Sequence, residues 1–171
     1  MYIDGSNLYH SAKKKFNCKI DIEKFCKELT GENDLIKINY YISPVGETNP
    51  KMYTEQQRFF EKLRKIKNLK IIFGRLEKRK QEGKKYFVEK ATDVNLALDL
   101  VLDAQSKDYD IAYLVSNDGD FSGAVKAAIE RFEKEIIYVA IGNTRMISHH
   151  LRKVSSQTLK ITESFINKVK L

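Results

Sequence analysis

The chain has 171 residues, of which 42% are hydrophobic and 32% are charged. This balance is ordinary for a soluble globular protein, and no apolar run is long enough to cross a membrane. The N-terminus lacks a basic segment followed by an apolar one, and the two cysteines form neither a CxxC pair nor a disulfide framework. We therefore expect one domain over residues 1–171, a cytoplasmic location and no membrane partner.

The charge is unevenly distributed along the chain. Lysine and arginine total 31 against 23 acids, a net charge of +8, and much of the excess falls in residues 13–15, 62–70 and 75–90. Such runs are often only solvated helix faces. Combined with acids at strand ends, they favour a polyanion bound to basic surface and a cation bound to acids.

Strand-like and helix-like patterns alternate along the chain, which predicts an α/β fold with a mainly parallel sheet. In chain order we expect strand 2–4, helix 8–15, helix 22–29, strand 36–42, loop 43–50, helix 53–66, strand 69–74, a hairpin or flap over 75–89, helix 94–104, strand 111–115, helix 121–132, strand 136–141, and helical or partly helical segments 145–151 and 159–169. The expected cap of the first helix is Ser6 or Asn7, and the expected cap of the second helix is Asp21. Helix 94–104 is apolar nearly all round, which predicts burial.

Acidic side chains follow the predicted strands at the positions where a site is expected. Residues 111–121, IAYLVSNDGDF, read as a buried strand that ends in Asp118 and Asp120, and Asp4 ends the first strand. Asp93 lies in the first turn of a helix, where the helix dipole alone would justify an acid. Capping of the next helix is an alternative explanation for Asp120.

Four carboxylates near one sheet edge suit one or two hard cations, Mg²⁺ or Mn²⁺, that bridge to a phosphate. The three histidines, His10, His149 and His150, have no partner at a zinc-binding spacing. Asp99 lies on a different side of the predicted helix from Asp93. We therefore expect it to orient a neighbouring side chain and not to join the metal site.

Three segments, IDGSNLY, EKATDVNLALDLVLDA and AYLVSNDGDF followed by IIYVAIG, together resemble the NYN domain of the PIN-like nuclease superfamily, which includes the LabA-like proteins. The resemblance implies a Rossmann-like three-layer sandwich and a metal-dependent ribonuclease. It carries over the catalytic residues Asp4, Asn7, Asp93, Asp118 and Asp120, with the four aspartates as ligands of Mg²⁺ or Mn²⁺. Asn117 departs from the family pattern, in which glycine is common, and could alter the turn or contact a phosphate.

Basic surface, chiefly from residues 75–90 and 62–70, is expected to border the acidic site, and the basic hairpin is the expected RNA-binding element. Its predicted RNA contacts are Arg75, Lys78, Arg79, Lys84, Lys85 and Lys90. Tyr86 or Phe87 would stack on an unpaired base, so the expected partner is single-stranded RNA. The sequence does not decide whether the chain forms a homodimer. The alternatives are an RNA-binding or regulatory NYN module with little catalysis and, at lower rank, a phosphatase that uses the Asp118-Gly119-Asp120 sequence.

Overall fold

A computed structural model describes residues 1–45, 49–81 and 84–171 of the chain, with backbone only for residues 76, 78–81 and 84–89. Its six-stranded sheet is entirely parallel and has the order β3-β2-β1-β6-β7-β8. The strands are β1 Tyr2–Asp4, β2 Ile38–Ile42, β3 Leu69–Phe73, β6 Ile111–Val115, β7 Glu135–Ala140 and β8 Gln157–Lys160. A separate antiparallel hairpin, β4 Arg75–Gln81 and β5 Lys84–Lys90, is inserted after β3. The expected α/β fold with a parallel sheet is confirmed.

Helices cover both faces of this sheet, which makes a three-layer sandwich. They are α1 Gly5–Phe16, α2 Ile22–Thr30, α3 Pro50–Leu63, α4 Thr92–Gln105, α5 Ser122–Phe132, α6 His149–Val154 and α7 Glu163–Val169. Helices α1, α2, α3 and α7 pack on one face, and α4, α5 and α6 on the other. No helix within the described residues is long and apolar enough to span a bilayer.

The sheet has one hydrophobic core on each face, because successive residues of a strand point to opposite faces. In β2, Tyr40 points to the face of α1 and α3, whereas its neighbour Tyr41 points to the face of α4. In β6, Val115 and Leu114 divide in the same way. Strands buried on both faces need continuous apolar sequence, which explains runs such as residues 111–115.

Two predictions about the helix starts had different outcomes. The side chain of Asp21 accepts a hydrogen bond from the backbone N–H of Lys24, which confirms the predicted cap of α2. The prediction for α1 was wrong: Asp4 is the cap, and the helix begins at once with Gly5. The strand therefore passes into the helix without a loop, and the last strand residue is also the first capping residue.

The prediction that helix 94–104 is buried all round was wrong. Leu96 and Leu100 are 1% and 0% exposed, but Val94, Leu98 and Leu102 are 61%, 54% and 52% exposed. Only one side of α4 contacts the sheet and α5, so a stripe at every fourth residue is left outside. Apolar composition alone does not show whether a second layer covers a helix.

The C-terminal segment also differs from the prediction. Residues 157–160, expected in part as helix, form the edge strand β8, which pairs with β7 from Ile137↔Gln157 to Ala140↔Lys160. The helix there begins only at Glu163. Helix 145–151 is shifted to His149–Val154, with Ser148 as its cap. The predicted hairpin is confirmed, although its tip at 82–83, like residues 46–48 of the predicted loop, lies outside the described residues.

Candidate active site

Asp4 and Asp118 lie at the carboxyl ends of two adjacent strands. Strands β1 and β6 pair in parallel with Ile3 opposite Val115, so the residues after each strand meet at one edge of the sheet. The Ser116 hydroxyl donates to Oδ2 of Asp4 at 3.0 Å and accepts the backbone N–H of Asp118 at 3.1 Å. One buried serine therefore links two acidic positions that are far apart in the sequence.

Each of these acids also satisfies backbone N–H groups at the start of a helix. Oδ1 of Asp4 accepts the N–H of Asn7 at 2.9 Å, and Oδ1 of Asp118 accepts the N–H of Asp120 at 2.9 Å. Asp118 thereby caps a short 3₁₀ turn, Gly119–Phe121, while α5 has no side-chain cap. The capping role considered for Asp120 thus belongs to Asp118. The Oδ2 atom of Asp118 accepts no hydrogen bond from the described residues, which leaves it available to a ligand.

Asn117 is a structural junction, so its predicted contact with a phosphate is not supported. Its Nδ2 donates to the carbonyl of Ile141 at 2.7 Å and to Ser11 at 3.2 Å, and its Oδ1 accepts the hydroxyl of Tyr138 at 2.7 Å. The side chain joins the loop after β6 to α1 and to β7. These hydrogen bonds hold the acidic turn against α1 and β7.

Asn7 is attached to the same turn. Its Oδ1 accepts the backbone N–H of Asn117 at 3.0 Å and the hydroxyl of Ser11 at 3.3 Å. The amide orientation is therefore fixed, and Nδ2 donates to none of the described residues. Asn7 thus presents a donor, not an acceptor, to whatever binds beside Asp4, which suits a phosphate oxygen or a metal-bound water.

Asp93 and Asp120 lie at the same edge but outside the Asp4–Ser116–Asp118 linkage. Asp93 is exposed in the first turn of α4. That turn begins beside the ends of β2 and β3, because a Cβ on Gly74 would lie 2.9 Å from Cγ2 of Thr92. Asp120 is exposed one residue beyond Gly119. Within the described part of the chain, no three His, Cys, Asp or Glu side chains are arranged to hold a metal ion.

The donor set nevertheless fits Mg²⁺ or Mn²⁺. Mg²⁺ is usually held by one or two carboxylates plus substrate phosphates and keeps several waters, so it does not need a cage of three or four acids. Asp4 and Asp118 carry carboxylate oxygens at adjacent strand ends, and such oxygens are the donors that hard cations prefer. Asp99, in contrast, accepts the hydroxyl of Tyr41 at 2.8 Å and orients that neighbour, as expected.

The basic hairpin projects from this same edge. The N–H of Gly74 donates to the carbonyl of Ile42 at the end of β2, and Lys90 returns to the same point. The register pairs Arg75 with Lys90, Arg79 with Tyr86 and Lys78 with Phe87. The backbone therefore brings Arg75 and Lys90 to the edge that carries the acids, with Lys78, Arg79, Lys84 and Lys85 further out along the hairpin.

The basic run 62–70, expected beside the acidic site, lies at the other end of the molecule. Helix α3 starts near the carboxyl end of β2 and returns to the amino end of β3, so its C-terminal lysines are carried to the opposite edge of the sheet. That part of the prediction was wrong. Each connection in a parallel sheet runs from the carboxyl end of one strand to the amino end of the next. The position of a charge run in the sequence does not reveal at which of these two ends it lies.

The structure adds a segment that the sequence analysis did not connect to the site. A Cβ on Gly119 would lie 3.2 Å from Oγ of Ser148 and 3.5 Å from Cδ2 of His150, so α6 begins against the acidic turn. The hydroxyl of Tyr138 supports this contact by accepting the N–H of Ser148 at 3.0 Å. The sequence could have indicated this contact only by position: the segment between β7 and α6 follows a strand, so it must also start at the carboxyl ends of the strands.

Comparison with known proteins identifies the fold and the family of the chain. The chain is similar in fold to a protein of unknown function, VPA0982, from Vibrio parahaemolyticus RIMD 2210633, with a TM-score of 0.74 and 22% identity over 99% of this chain and 93% of that one. No curated protein matches the chain. A sequence model of the NYN domain, a member of the PIN-like superfamily, matches residues 1–162. On this match the chain belongs to the NYN domain family.

Proposed function

We propose that the chain is a divalent-metal-dependent ribonuclease that hydrolyses phosphodiester bonds of RNA at the carboxyl edge of its sheet. The observation that carries the proposal is the linkage of Asp4 to Asp118 through Ser116, in a chain of the NYN family. A divalent cation bound there, Mg²⁺ or Mn²⁺, would lower the pKa of a bound water and stabilise charge on the phosphate.

The residues of the chain divide the remaining work. Asp4 and Asp118 hold the cation, and Ser116 keeps their two strand ends in register. Asp93 and Asp120, exposed at the same edge, complete the site directly or through water molecules. Asn7 donates a hydrogen bond from its side-chain Nδ2 to a phosphate oxygen, which places the scissile phosphate beside Asp4.

Binding of the polyanion falls to the hairpin. Arg75 and Lys90 stand at its base near the acids, and Lys78, Arg79, Lys84 and Lys85 continue away from the site. Contacts of this kind are sequence-independent and release counterions, so the affinity for RNA should fall steeply as salt is raised. A flat salt dependence would mean that the hairpin charge is only a solvated surface.

The alternative is an RNA-binding or regulatory module without turnover, which the capping roles of Asp4 and Asp118 favour. These bonds give both acids a structural purpose that requires no cation. A cleavage assay must therefore be joined to a measurement that detects the structural role by itself.

The test compares Asp118→Asn with Asp110→Asn. Asparagine keeps an oxygen to cap the 3₁₀ turn but removes the charge, so the apo stability of the first variant should be unchanged or slightly higher. Asp110 precedes the same strand at its opposite end, with a fully exposed side chain, and serves as the matched control. We expect Asp118→Asn to abolish or nearly abolish cleavage of a labelled RNA in Mg²⁺ or Mn²⁺, and Asp110→Asn to leave it intact.

Thermal melts in EDTA and in Mn²⁺ provide the second readout. Mn²⁺ should raise the melting temperature of the wild type more than that of Asp118→Asn, because a ligand that binds only the folded state stabilises it more when it binds more tightly. Equal shifts together with intact cleavage would rule out Asp118 as a ligand. RNA binding without cleavage by the wild type in any divalent cation would favour the binding module.

A further inference from the structure

A groove between α1 and α3 opens beside the acidic edge. It has a volume of about 620 Å³, which lies in the range of small-molecule sites. Its floor includes Tyr40 and Ile42 of β2, and at one end it reaches Gly5, the residue that follows Asp4. A Cβ on Gly5 would overlap the ring of Tyr40, so this floor directly meets the residue that follows Asp4.

The walls of the groove carry exposed apolar and aromatic side chains. Tyr9 on α1 is 48% exposed and Met52 on α3 is 51% exposed, while Phe59 is partly buried beneath them. Tyr9 is further fixed by an edge contact with His10, with ring centroids 5.3 Å apart. Large exposed apolar side chains on two facing helices need an explanation when they line one cavity.

Lysines lie at the end of the groove far from the acids. Lys19 lines that end, and Lys13, Lys14 and Lys15 are exposed nearby in the last turn of α1, while Glu55 on α3 also lines the groove. The acidic edge therefore lies at one end and a lysine cluster at the other, with aromatic and thioether groups between them. Proteins that bind single-stranded nucleic acid combine these features, because bases stack on aromatic groups while lysines follow the phosphates.

Resting on the proposed function, we infer that this groove binds an unpaired nucleobase of the RNA next to the scissile phosphate, between Tyr9 and Met52. The continuity of the groove with Gly5 and Asp4 puts the base one step from the phosphate held at the acids. A base in a duplex cannot enter a cavity between two helices, so the groove selects single-stranded RNA. The preference for unpaired RNA then comes from α1 and α3 as well as from the hairpin.

The test measures binding separately from cleavage. Fluorescence anisotropy in EDTA compares a labelled single-stranded RNA with an abasic oligonucleotide of equal length, for the wild type, Tyr9→Ala and Met52→Ala. Leu98→Ala is the control, because Leu98 is 54% exposed but lies on the other face of the sheet. Each groove variant should lose at least about fivefold in affinity for the RNA. Neither should lose affinity for the abasic strand, and the salt slope should not change.

Methyl NMR locates the base directly. The chain has three methionines, and with ¹³C-methyl labelling the Met52 signal should move on addition of the RNA but not of the abasic strand. Met1, only 8% exposed in the core, should not move. Binding losses in Tyr9→Ala and Met52→Ala no larger than in Leu98→Ala, or equal for both oligonucleotides, would overturn the inference, as would an unchanged Met52 signal.

The two proposals fail in different ways. Base-dependent binding in the groove with no cleavage in any divalent cation would refute the ribonuclease but not the base site. Cleavage that depends on Asp118, together with affinity that ignores the bases, would refute the base site but not the ribonuclease. Movement of the Met52 signal by an apolar peptide but not by RNA would assign the groove to a protein segment and overturn the inference.

Discussion

Gly5, the first residue of α1, is the position at which the structure makes its sharpest prediction about stability. A Cβ there would lie 2.4 Å from Cε1 of Tyr40 and 2.9 Å from its hydroxyl oxygen. The Tyr40 side chain is 2% exposed and packs edge-on against Phe59, with ring centroids 5.8 Å apart. Because the added methyl group would overlap the ring and force it out of this packing, Gly5→Ala should lower the free energy of unfolding, although alanine is the better helix former.

The expected size follows from two opposing terms. Overpacking a filled core costs about 1–3 kcal/mol, while replacing a helical glycine with alanine gains about 0.5–1 kcal/mol. The net loss should be roughly 0.5–2 kcal/mol. Gly123→Ala is the matched control, since Gly123 is exposed in α5 and its added Cβ would meet nothing within 4 Å. That variant should gain about 0.4–1 kcal/mol.

Urea unfolding at 25 °C should therefore move in opposite directions for the two Gly→Ala variants. A double-mutant cycle with Tyr40→Leu identifies the cause, because it removes the ring atoms that overlap with the new methyl group. In that background the cost of Gly5→Ala should fall by about 1 kcal/mol or more. If Gly5→Ala stabilises the protein as Gly123→Ala does, or if its cost is unchanged beside Leu at position 40, the packing argument is wrong.

Three further predictions concern the core. Asn117→Ala should lower the free energy of unfolding by roughly 3 kcal/mol in urea titrations, because it leaves several buried polar groups without partners; a loss below 1 kcal/mol would contradict its role as a junction. Burial, then hydrogen bonds to carboxylates, raises the pKa of Tyr2 and of Tyr41 above the usual 10.0. The unfolded chain therefore releases these protons first, and stability should fall as pH rises above about 10. In a pH titration, part of the tyrosinate absorbance at 295 nm should appear only together with unfolding, and full ionisation of the tyrosines in the folded protein would contradict this. Burial raises the pKa of the Cys26 thiol to about 12, so at pH 8 Ellman's reagent should modify the partly exposed Cys18 well before Cys26, and equal rates would show that the α2 side of the core opens readily.

Much of the fold could be predicted from local patterns alone. The apolar run 111–115 followed by turn residues defines a buried strand, and the structure has it within the same bounds. Asp21 before an apolar period of 3.6 defines a helix start, which is confirmed. These features depend on neighbours two to four residues apart, so the sequence carries them directly.

The acidic edge was predictable for a related reason. In a parallel sheet every strand ends at one edge, so acids after two strands must share that edge if both strands belong to the sheet. Asp4 and Asp118 satisfy this rule on adjacent strands. Which strands are adjacent is not a local property, and the mediating role of Ser116 between them could not be read from sequence.

The tertiary structure decided the features that depend on contacts between segments far apart in the sequence. It turned Asn117 inward to Tyr138, set α6 and His150 against Gly119, and left Leu98 uncovered on the surface of α4. It also carried the 62–70 lysines to the far edge. An amide, an apolar helix or a charge run has the same local signature whether or not a distant segment packs against it. The sequence by itself therefore determined the elements and the edge at which the acids meet, whereas only the packing of segments far apart in the chain decided which polar groups are engaged and which surfaces are open.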